Sequence, residues 1–409
     1  MKKLLVIGFV WPEPKSSAAG SRMLQLIKQF QNQGYAVTFV SAAAPSENTF
    51  DLSTLQVRTE AIQLNDSTFD SFISELNPDV VLFDRFMTEE QYGWRVAEQC
   101  PEAIHILDTE DFHGLRKARG QALKEDALVT KEYLHNDTTK REIASIYRCD
   151  LSLIISEAEM GILNQQFNVD KALLHYLPFL LPRVSEDQLD QVPDFQQRQH
   201  FITIGNFLHP PNYDAVVYLK QTIWPLIRKE LPDAELHIYG SFESQRVRQL
   251  HNADQGFIIE GFTKDVNDVM QHARVCVAPL RFGAGLKGKL IDAMLNGTPC
   301  AMSSIAAEGM FGELAPNGFI TDNPKEFAQK AVDLYNKFEE WTRCQRQGFN
   351  VLNERFNATY FEADFAKRIT DLSTHLKTRR QNNFIGSMLQ HQSMQSTKYL
   401  SKWIEEKNK

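Results

Sequence analysis

The feature that most limits the fold of this chain is a regular alternation of short apolar runs with longer segments of helical periodicity. The short runs of the first half, which we predict to be strands, are Leu4–Val10, Ala36–Ser41, Asp79–Phe83, Ile104–Leu107 and Leu151–Ser156. The longer segments, which we predict to be helices, include Gly20–Gln33, Thr88–Gln99 and Lys140–Arg148. Apolar strands that alternate with helices are typical of a parallel sheet covered by helices on both faces.

The same alternation begins again in the second half of the chain. Its predicted strands are Phe201–Gly205, Glu235–Tyr239, Phe257–Glu260, Val275–Pro279 and Pro299–Met302. Its predicted helices include Tyr213–Glu230, Gly288–Leu295 and Lys325–Phe338. Because 409 residues exceed the size of one ordinary core, the repeat predicts two doubly wound α/β domains.

The predicted boundaries follow the composition of the connecting segments. We place the first domain at residues 1–180 and the second at residues 201–356, with a linker at 181–200 that is rich in Pro, Gln and Asp and lacks periodicity. Residues 357–376 are expected to form a helix that returns toward the first domain, and residues 377–409 a basic amphipathic helical tail. Ligands of such sheets bind where the strands end, so the cleft between the domains is the expected site.

Composition and the amino-terminal segment argue against several classes of protein. The formal net charge of -8 disfavours nucleic-acid binding, which needs clustered Lys and Arg. Five widely spaced cysteines without a Cys-x-x-Cys pair indicate neither disulfides nor a zinc knuckle. The apolar run after Met1 is short and is broken by Pro12, so we interpret it as a strand and not as a targeting segment. We expect a cytoplasmic protein, at most peripheral at the inner face of the membrane.

The most informative segment lies after the predicted strand Val275–Pro279. A loop with Gly283 and Gly285 leads into a helix that carries Lys287 and Lys289 at its start. Glycines let backbone approach a ligand closely, and the free N–H groups of a helix start attract anions. Gly285, Gly288, Lys289 and Asp292 share one helix face, which suits a diphosphate, with Asp292 placed to accept hydrogen bonds from a ribose. The alternative is an ordinary turn with solvated lysines.

At Asp292–Cys300 the chain reads Asp-Ala-Met-Leu-Asn-Gly-Thr-Pro-Cys, which resembles the Glu-Ala-Met-Ala-x-Gly-x-Pro-Val motif of retaining GT-B glycosyltransferases. This is the large bacterial group 1, or family 4-like, class. The resemblance implies two Rossmann-like domains that face each other across a cleft, an acceptor domain first and a nucleotide-sugar donor domain second. It implies a UDP- or GDP-sugar as donor. We see no His-Glu-x-x-His or Asp-x-Asp pattern and expect neither a metal nor a cofactor.

Two departures from the family pattern concern charge. The first of two glutamates that the family often carries is replaced by Ala284, and the second is Asp292. The strand that ends at Gly205 and Asn206 lacks the Arg and Lys pair that contacts donor phosphates in the family. We predict that Lys287 and Lys289 supply the missing charge and stabilise the leaving diphosphate.

The resemblance also implies roles for residues in other loops. The turn with Gly261, Phe262 and Thr263 would lie against the nucleobase, and the first loop would bring Gly20 toward the donor phosphate. His113 would hydrogen-bond the donor sugar, and Glu308 would lie in the loop that closes on it. The alternatives are a plain strand–helix turn, a flexible surface loop, a packed histidine and a framework contact. The remaining donor-binding residues of this prediction are Gly205, Asn206, Gly283, Gly285, Gly288 and Asp292.

These observations predict a glycosyltransferase that acts with retention in glycan or polysaccharide biosynthesis, on an acceptor that the sequence does not identify. A catalytically inactive GT-B-like binding or scaffold subunit is the main alternative, since an acid of the motif is absent. An epimerase or phosphorylase of the same shape is the other alternative. For the tail, packing on the protein's own surface or on another subunit competes with contact with a membrane surface.

Overall fold

The computed structural model describes residues 2–189 and 191–408. The first seven strands are β1 Lys2–Gly8, β2 Tyr35–Ser41, β3 Arg58–Ala61, β4 Val80–Asp84, β5 Ile104–Asp108, β6 Leu151–Ile154 and β7 Leu174–Tyr176. The next six are β8 Gln199–Ile204, β9 Leu236–Tyr239, β10 Phe257–Gly261, β11 Ala273–Ala278, β12 Cys300–Met302 and β13 Gly318–Ile320. They form two sheets with the orders β3-β2-β1-β4-β5-β6-β7 and β10-β9-β8-β11-β12-β13.

Helices connect the strands and cover both faces of each sheet. Those of the first half are α1 Ala18–Asn32, α2 Thr68–Leu76, α3 Arg85–Gln99, α4 His113–Lys124, α5 Lys131–Leu134, α6 Asp137–Arg148, α7 Glu157–Phe167 and α8 Glu186–Leu189. Those of the second half are α9 Pro210–Tyr218, α10 Trp224–Glu230, α11 Gln245–Arg248, α12 Val266–His272, α13 Gly288–Leu295, α14 Ser304–Ala307, α15 Pro324–Asn336 and α16 Phe338–Arg355. Two longer helices follow, α17 Thr359–Asn382 and α18 Phe384–Lys407.

Every pair of neighbouring strands described here runs parallel, with regular one-to-one register in β1 against β2 and against β4. The strand orders of the two sheets are alike. In each sheet the first strand of that half of the chain lies in the middle, and the order of the strands reverses beside it. This is the doubly wound α/β architecture that the alternation of apolar runs predicts, and the prediction is confirmed. Both sets of strand ends point toward the space between the domains.

The alternation of side chains along β1 shows how the first core is divided. Leu4 and Val6 pack with Phe30 of α1 on one face, while Leu5 and Ile7 pack on the other. Phe365 of α17 lies in the same cluster as Phe30, so α17 completes the core of the first half. A parallel sheet buried on both faces requires the near-continuous apolar strands seen in the sequence.

The structure adds three short strands to those predicted. β3 is exposed along its whole length, and β7 and β13 have three residues each. The polar β3 has no apolar run to mark it, and β7 and β13 are too short to show a periodicity. The predicted helix Tyr213–Glu230 is also interrupted, because a π-helical turn at Leu219–Ile223 separates α9 from α10. Pro225 lies just after this turn, and its lack of an N–H disfavours a continuous α-helix there.

The predicted tail is one helix, α18, which lies against α3 and α6. Met394 and Ser401 are buried on its inner face, and Asn383 caps its start. Of the apolar residues that suggested packing, Leu389 and Ile404 are half-buried. The others are 45–74% exposed: Phe384, Ile385, Met388, Tyr399, Leu400 and Trp403. The tail thus packs on the protein's own surface through its inner face, as one of the two interpretations expects, and its outer face stays uncovered. No helix among the described residues is long and apolar enough to cross a membrane.

Candidate functional site between the two domains

The starts of two helices, one from each domain, meet at the cleft. A Cβ placed on Gly288, the first residue of α13, would lie 2.5 Å from the Cβ of Ala18, the first residue of α1. Only glycine permits this approach. The start of α13 has no side-chain cap, so its first N–H groups keep their hydrogen-bonding capacity. Two converging helix starts create a positive potential suited to an anion.

Lys287 and Lys289 lie beside this junction, and neither is an ordinary solvated lysine. The Nζ of Lys287, which is 9% exposed, donates to the carbonyl oxygens of Ala284 at 2.9 Å and Gly285 at 2.5 Å. Its third donor is left for a ligand. The Nζ of Lys289 donates to Asn212 Oδ1 at 3.0 Å. Burial lowers the pKa of each amine to about 8, against the opposing effect of Glu308 on Lys287.

Asn212 joins the strand end of β8 to the lysine helix. A Cβ on Gly205 would lie 2.6 Å from the Asn212 amide nitrogen, and that amide donates to the Asn206 carbonyl oxygen at 3.0 Å. The structure thus brings Gly205, Asn206 and Lys289 around one side chain. Asp292 follows one turn later, half-buried, and burial raises its pKa to about 7 against the opposing effect of Lys289.

The predicted nucleobase turn lies at the end of β10. Gly261 adopts a φ of 78°, Phe262 is 40% exposed, and the Thr263 hydroxyl donates to the Asp265 carbonyl at 3.0 Å. Because the strands are parallel, this turn shares the edge of the sheet with Gly205. The structure gives it no contact with the lysines, and its role stays a prediction.

The backbone groups of two predicted glycines already have partners. The Gly20 N–H donates to the Ser17 hydroxyl at 3.1 Å, which caps α1, so it is not free for a phosphate in this arrangement. The Gly283 carbonyl accepts from Arg119 at 2.8 Å. Both glycines therefore lie at the expected place and hold the framework of the cleft.

Glu308 makes a contact across the cleft. Its carboxylate forms two hydrogen bonds with the Arg119 guanidinium, of 2.8 and 2.6 Å, which link the second domain to α4. The neighbouring Arg116 pairs with Asp111 within its own domain. For Glu308 the geometry corresponds to the framework alternative, and its predicted contact with the donor would require this ion pair to open.

A buried carboxylate that the sequence analysis missed lies next to the departure at Ala284. Glu159 Oε1 accepts from the Phe112 N–H at 2.9 Å and, across the cleft, from the Gly285 N–H at 2.7 Å. Burial and the nearby Asp111 raise the pKa of Glu159 to about 7, although these N–H groups oppose the shift. An acid from the first domain thus stands beside the position where the family motif has lost one.

His113 begins α4 and is fixed by acidic groups. Its Nδ1 lies 2.9 Å from the Asp111 carbonyl and 3.5 Å from Glu142 Oε1, and its ring packs edge-on against Phe86. Burial alone would lower the pKa of His113, but the carboxylates of Asp111 and Glu142 outweigh it and raise the pKa. With Nδ1 held inside, Nε2 is the ring atom available to a ligand.

The end of the first sheet gathers carboxyl groups. Asp84 and Asp108 end the paired strands β4 and β5, with Arg22 held against Asp108 at 2.8 Å. Glu110 follows in a left-handed conformation, with φ of 62°. Burial and the neighbouring Asp108 raise its pKa to about 8, against the effect of Arg85. No sequence pattern marks Glu110 as a site residue.

His209 is a second residue that the sequence analysis did not select. Burial and the nearby Arg116 lower the pKa of His209 to about 4, so it is neutral at the cleft between Arg116 and Lys289. Its position after β8 was visible in sequence, but no spacing linked it to the first domain.

A groove opens beside this acidic edge. It has a volume of about 560 Å³ and is lined by Phe9, Met87, Glu90, Gln91, Arg141 and Thr397. Phe9 is 41% exposed and lies under the Arg85 guanidinium, 5.4 Å from ring centre to Cζ. Aromatic faces beside paired charges can bind a polar ring.

Comparison with known proteins extends these observations. Residues 198–337, which include every strand of the second sheet, match the family described as Glycosyl transferases group 1. An uncharacterised 44.6 kDa protein in the cps region of Klebsiella pneumoniae is 22% identical over 162 residues, 38% of this chain and 42% of that protein. The chain therefore matches less than half of the length of this relative.

Solved structures share the architecture over most of the chain. A mutant of S. aureus TarM in complex with fondaparinux, α-GlcNAc-glycerol and UDP has a TM-score of 0.69 at 11% identity, over 90% of this chain and 100% of that one. HepE of Anabaena with UDP and glucose has a TM-score of 0.67 at 13% identity, over 91% and 100%. WaaG, a glycosyltransferase involved in lipopolysaccharide biosynthesis, has a TM-score of 0.58 at 10% identity, over 90% of this chain and 99% of that one. The predicted GT-B fold and family resemblance are confirmed.

Proposed function

We propose, from the premise that residues 198–337 form a glycosyl transferases group 1 domain, that this chain transfers a sugar from a nucleoside diphosphate to an acceptor hydroxyl. The observation that carries the proposal is the junction of α1 and α13, with Lys287 and Lys289 beside it. Uncapped N–H groups and two amines with unused donors can together hold a diphosphate.

UDP is the nucleotide we infer, ahead of GDP. The structures of TarM and HepE that share this fold contain UDP. Phe262 and Thr263, at the end of β10, would border the base, and Asp292 would accept from the ribose. Asn212 would orient Lys289 toward the phosphates.

The proposed reaction proceeds with retention. The bond from the anomeric carbon to the diphosphate oxygen breaks, and the acceptor oxygen bonds to the same face of that carbon. The acceptor proton passes to the departing phosphate oxygen. Negative charge grows on the diphosphate during this step, so cations fixed beside it lower the barrier. His113 Nε2 would hydrogen-bond a sugar hydroxyl and hold the ring in place.

The acceptor we infer is a glycan that enters through the groove beside Phe9 and Arg141. Support comes from the cps region that names the Klebsiella relative and from the lipopolysaccharide biosynthesis that names WaaG. Phe9→Ala should raise the KM for the acceptor and leave donor hydrolysis unchanged.

Calorimetric titration with UDP tests the donor site. Lys287→Ala and Lys289→Ala should each weaken binding about tenfold to a hundredfold, since a charge-assisted hydrogen bond contributes ~1.5–3 kcal/mol. Lys325→Ala, an exposed lysine of α15, is the matched control. Unchanged affinity of both site variants for every nucleotide diphosphate would refute the phosphate assignment. Binding without hydrolysis or transfer of any donor would instead indicate an inactive binding subunit.

The exposed face of α18 supports a contact with a membrane surface or a second copy of the chain. Truncation is a poor test, because Arg380 of α17 holds Asp150 at 2.7 Å and α18 covers Arg95. Replacing Tyr399 and Trp403 with Ser leaves those contacts intact. Loss of cosedimentation with anionic vesicles would support the membrane contact, and loss of a dimer in sedimentation velocity would support self-association. No change in either would count against both.

A further inference from the structure

A second group of histidines and glutamates lies at the other end of β8 from the donor site. His200 is near the start of β8, Glu235 and His237 are at the start of β9, and Glu260 is in the neighbouring β10. One ligand-type atom from each of His200, Glu235 and His237 lies within 4.8 Å of the others. Two segments that are 35 residues apart in sequence thus converge on one point.

The hydrogen bonds of His237 are incomplete without a cation. Its Nδ1 lies 2.6 Å from Glu260 Oε1, and its Nε2 lies 3.1 Å from Glu235 Oε2. A neutral imidazole has one N–H and one lone pair. At one of these two contacts the nitrogen lone pair would therefore face a carboxylate oxygen, and both atoms are hydrogen-bond acceptors. A proton or a metal ion on the second nitrogen removes this conflict.

His200 favours the metal ion. Its Nδ1 is shielded from solvent, has no hydrogen-bond partner, and lies 3.6 Å from the same Glu235 oxygen. The two imidazole rings are 4.7 Å apart between centroids. A second proton here would give two adjacent imidazolium groups, whereas one ion would use the unpaired nitrogen, the lone pair of His237 and the carboxylate together.

We propose that His200, Glu235 and His237 bind a divalent transition-metal ion of the zinc type, with Glu260 orienting His237 from behind. Two imidazoles and a carboxylate are a common zinc ligand set, and a carboxylate on the far nitrogen of a ligating histidine is its usual support. The cluster carries two carboxylates, which matches the charge of the ion. The four side chains are 21–41% exposed, so an ion has access.

The site would be structural. It ties the start of β8, where the chain enters the second sheet, to β9, and through Glu260 to the edge strand β10. Gly205 and the loop before α13 lie at the opposite strand ends, so the ion would stabilise the second domain without touching the diphosphate. Glu260 alone adjoins a predicted donor segment, because it precedes Gly261 at the end of β10.

Metal titration of the untagged full chain, stripped with a chelator, tests the proposal. We expect one Zn²⁺ per chain by calorimetry, a Co²⁺ spectrum of low coordination number, and a Tm raised by about 5–10 °C when free Zn²⁺ is a hundred times Kd. His237→Ala and His200→Asn should weaken binding at least a hundredfold. Asn suits the left-handed backbone of His200, whose φ is 60°. Glu260→Gln should weaken binding about tenfold to a hundredfold.

The control is His272→Asn, at an exposed histidine whose Nδ1 lies 2.7 Å from the carbonyl oxygen and 3.6 Å from the carboxylate of Asp268, one turn earlier in α12. It should bind Zn²⁺ as the unchanged chain does. Absence of saturable Zn²⁺ and Co²⁺ binding in the unchanged chain would overturn the proposal and leave His237 as an imidazolium between two glutamates. The proposal would also be overturned if His200→Asn and Glu260→Gln bound Zn²⁺ as tightly as the unchanged chain, because both variants preserve the shape of the cluster.

Discussion

The two sheets have the same central strand order, but the edges where their strands end carry different ionisable groups. The first edge holds Asp84, Asp108 and Glu110. The second holds Lys287 and Lys289 at the start of α13. Topology thus places a ligand between the domains, whereas the loops after the strands decide which chemical group each side can receive.

Burial pushes both edges toward neutrality. It raises the pKa of Glu110 to about 8 and that of Glu159 to about 7, and it lowers the pKa of both lysines to about 8. Groups held in this state are incompletely solvated and gain most from a ligand of complementary polarity. A diphosphate suits the lysines, and a neutral hydroxyl suits a protonated carboxyl.

The largest effect should follow removal of the cationic edge. Lys287→Met with Lys289→Met keeps the apolar stems and removes both charges, so the rate of sugar transfer should fall about 10²–10³-fold or more. Steady-state kinetics with saturating donor would measure it, with Lys325→Met as the matched control. A double variant with an unchanged kcat would show that the helix starts alone stabilise the leaving group. The proposed role of the two lysines at the second edge would then be wrong.

A smaller effect, confined to the acceptor, should follow a change at the acidic edge. Glu110→Gln removes a titratable proton but keeps the size of the side chain, and the loss of one hydrogen bond should raise the acceptor KM about tenfold. The Kd for UDP should stay the same. Glu47→Gln, in an exposed loop, is the control. If Glu110→Gln weakens UDP and spares the acceptor, the two edges do not divide the substrates in this way.

The affinity for UDP should depend on pH through the lysines. Their pKa of about 8 in the free protein means that a bound diphosphate, which favours the charged amines, requires proton uptake above that pH. Affinity should therefore be full below about pH 8 and fall about tenfold per pH unit above it for each lysine that must be protonated. Lys287→Arg stays charged and should flatten the decline. An equal slope in both proteins would mean that Lys287 does not titrate in this range.

The strands and the helix of the donor motif could be predicted because each is encoded locally. The Gly288–Leu295 helix is observed with its predicted bounds, since one helical period and a preceding glycine loop mark it. Lys287 and Lys289 were predicted for the same reason. The short strand β3 could not be, because its exposed polar residues carry no apolar pattern.

The rest of the site depends on contacts between distant segments. Glu159 reaches Gly285 across 126 positions, and nothing around Glu157–Phe167 marks a ligand. Glu110 owes its raised pKa to burial, to Asp108 two residues before it and to Asp84 on the neighbouring strand, and the burial cannot be read from any spacing. His200 and His237 meet only because β8 pairs with β9. Sequence patterns identify residues that act within one loop, whereas residues that act through pairing of domains or strands require the structure.

An effect on stability alone, with no change in substrate binding, tests whether Glu159 belongs to the neutralised group. Its pKa is raised from 4.5 to about 7, so the folded chain holds a proton that the unfolded chain releases. This contribution to stability is full below about pH 4.5 and is lost as pH rises through about 7.

Glu159→Gln keeps an oxygen for Phe112 and Gly285 but cannot titrate. Its stability relative to the unchanged chain should rise by about 2 kcal/mol, or roughly 5 °C in Tm, between pH 4.5 and pH 8. Thermal unfolding at both pH values measures this difference, with Glu157→Gln, an exposed partner of Arg355 on the same helix, as control. A constant difference would place a charged Glu159 at neutral pH, with its carboxylate accepting the hydrogen bonds from Phe112 and Gly285.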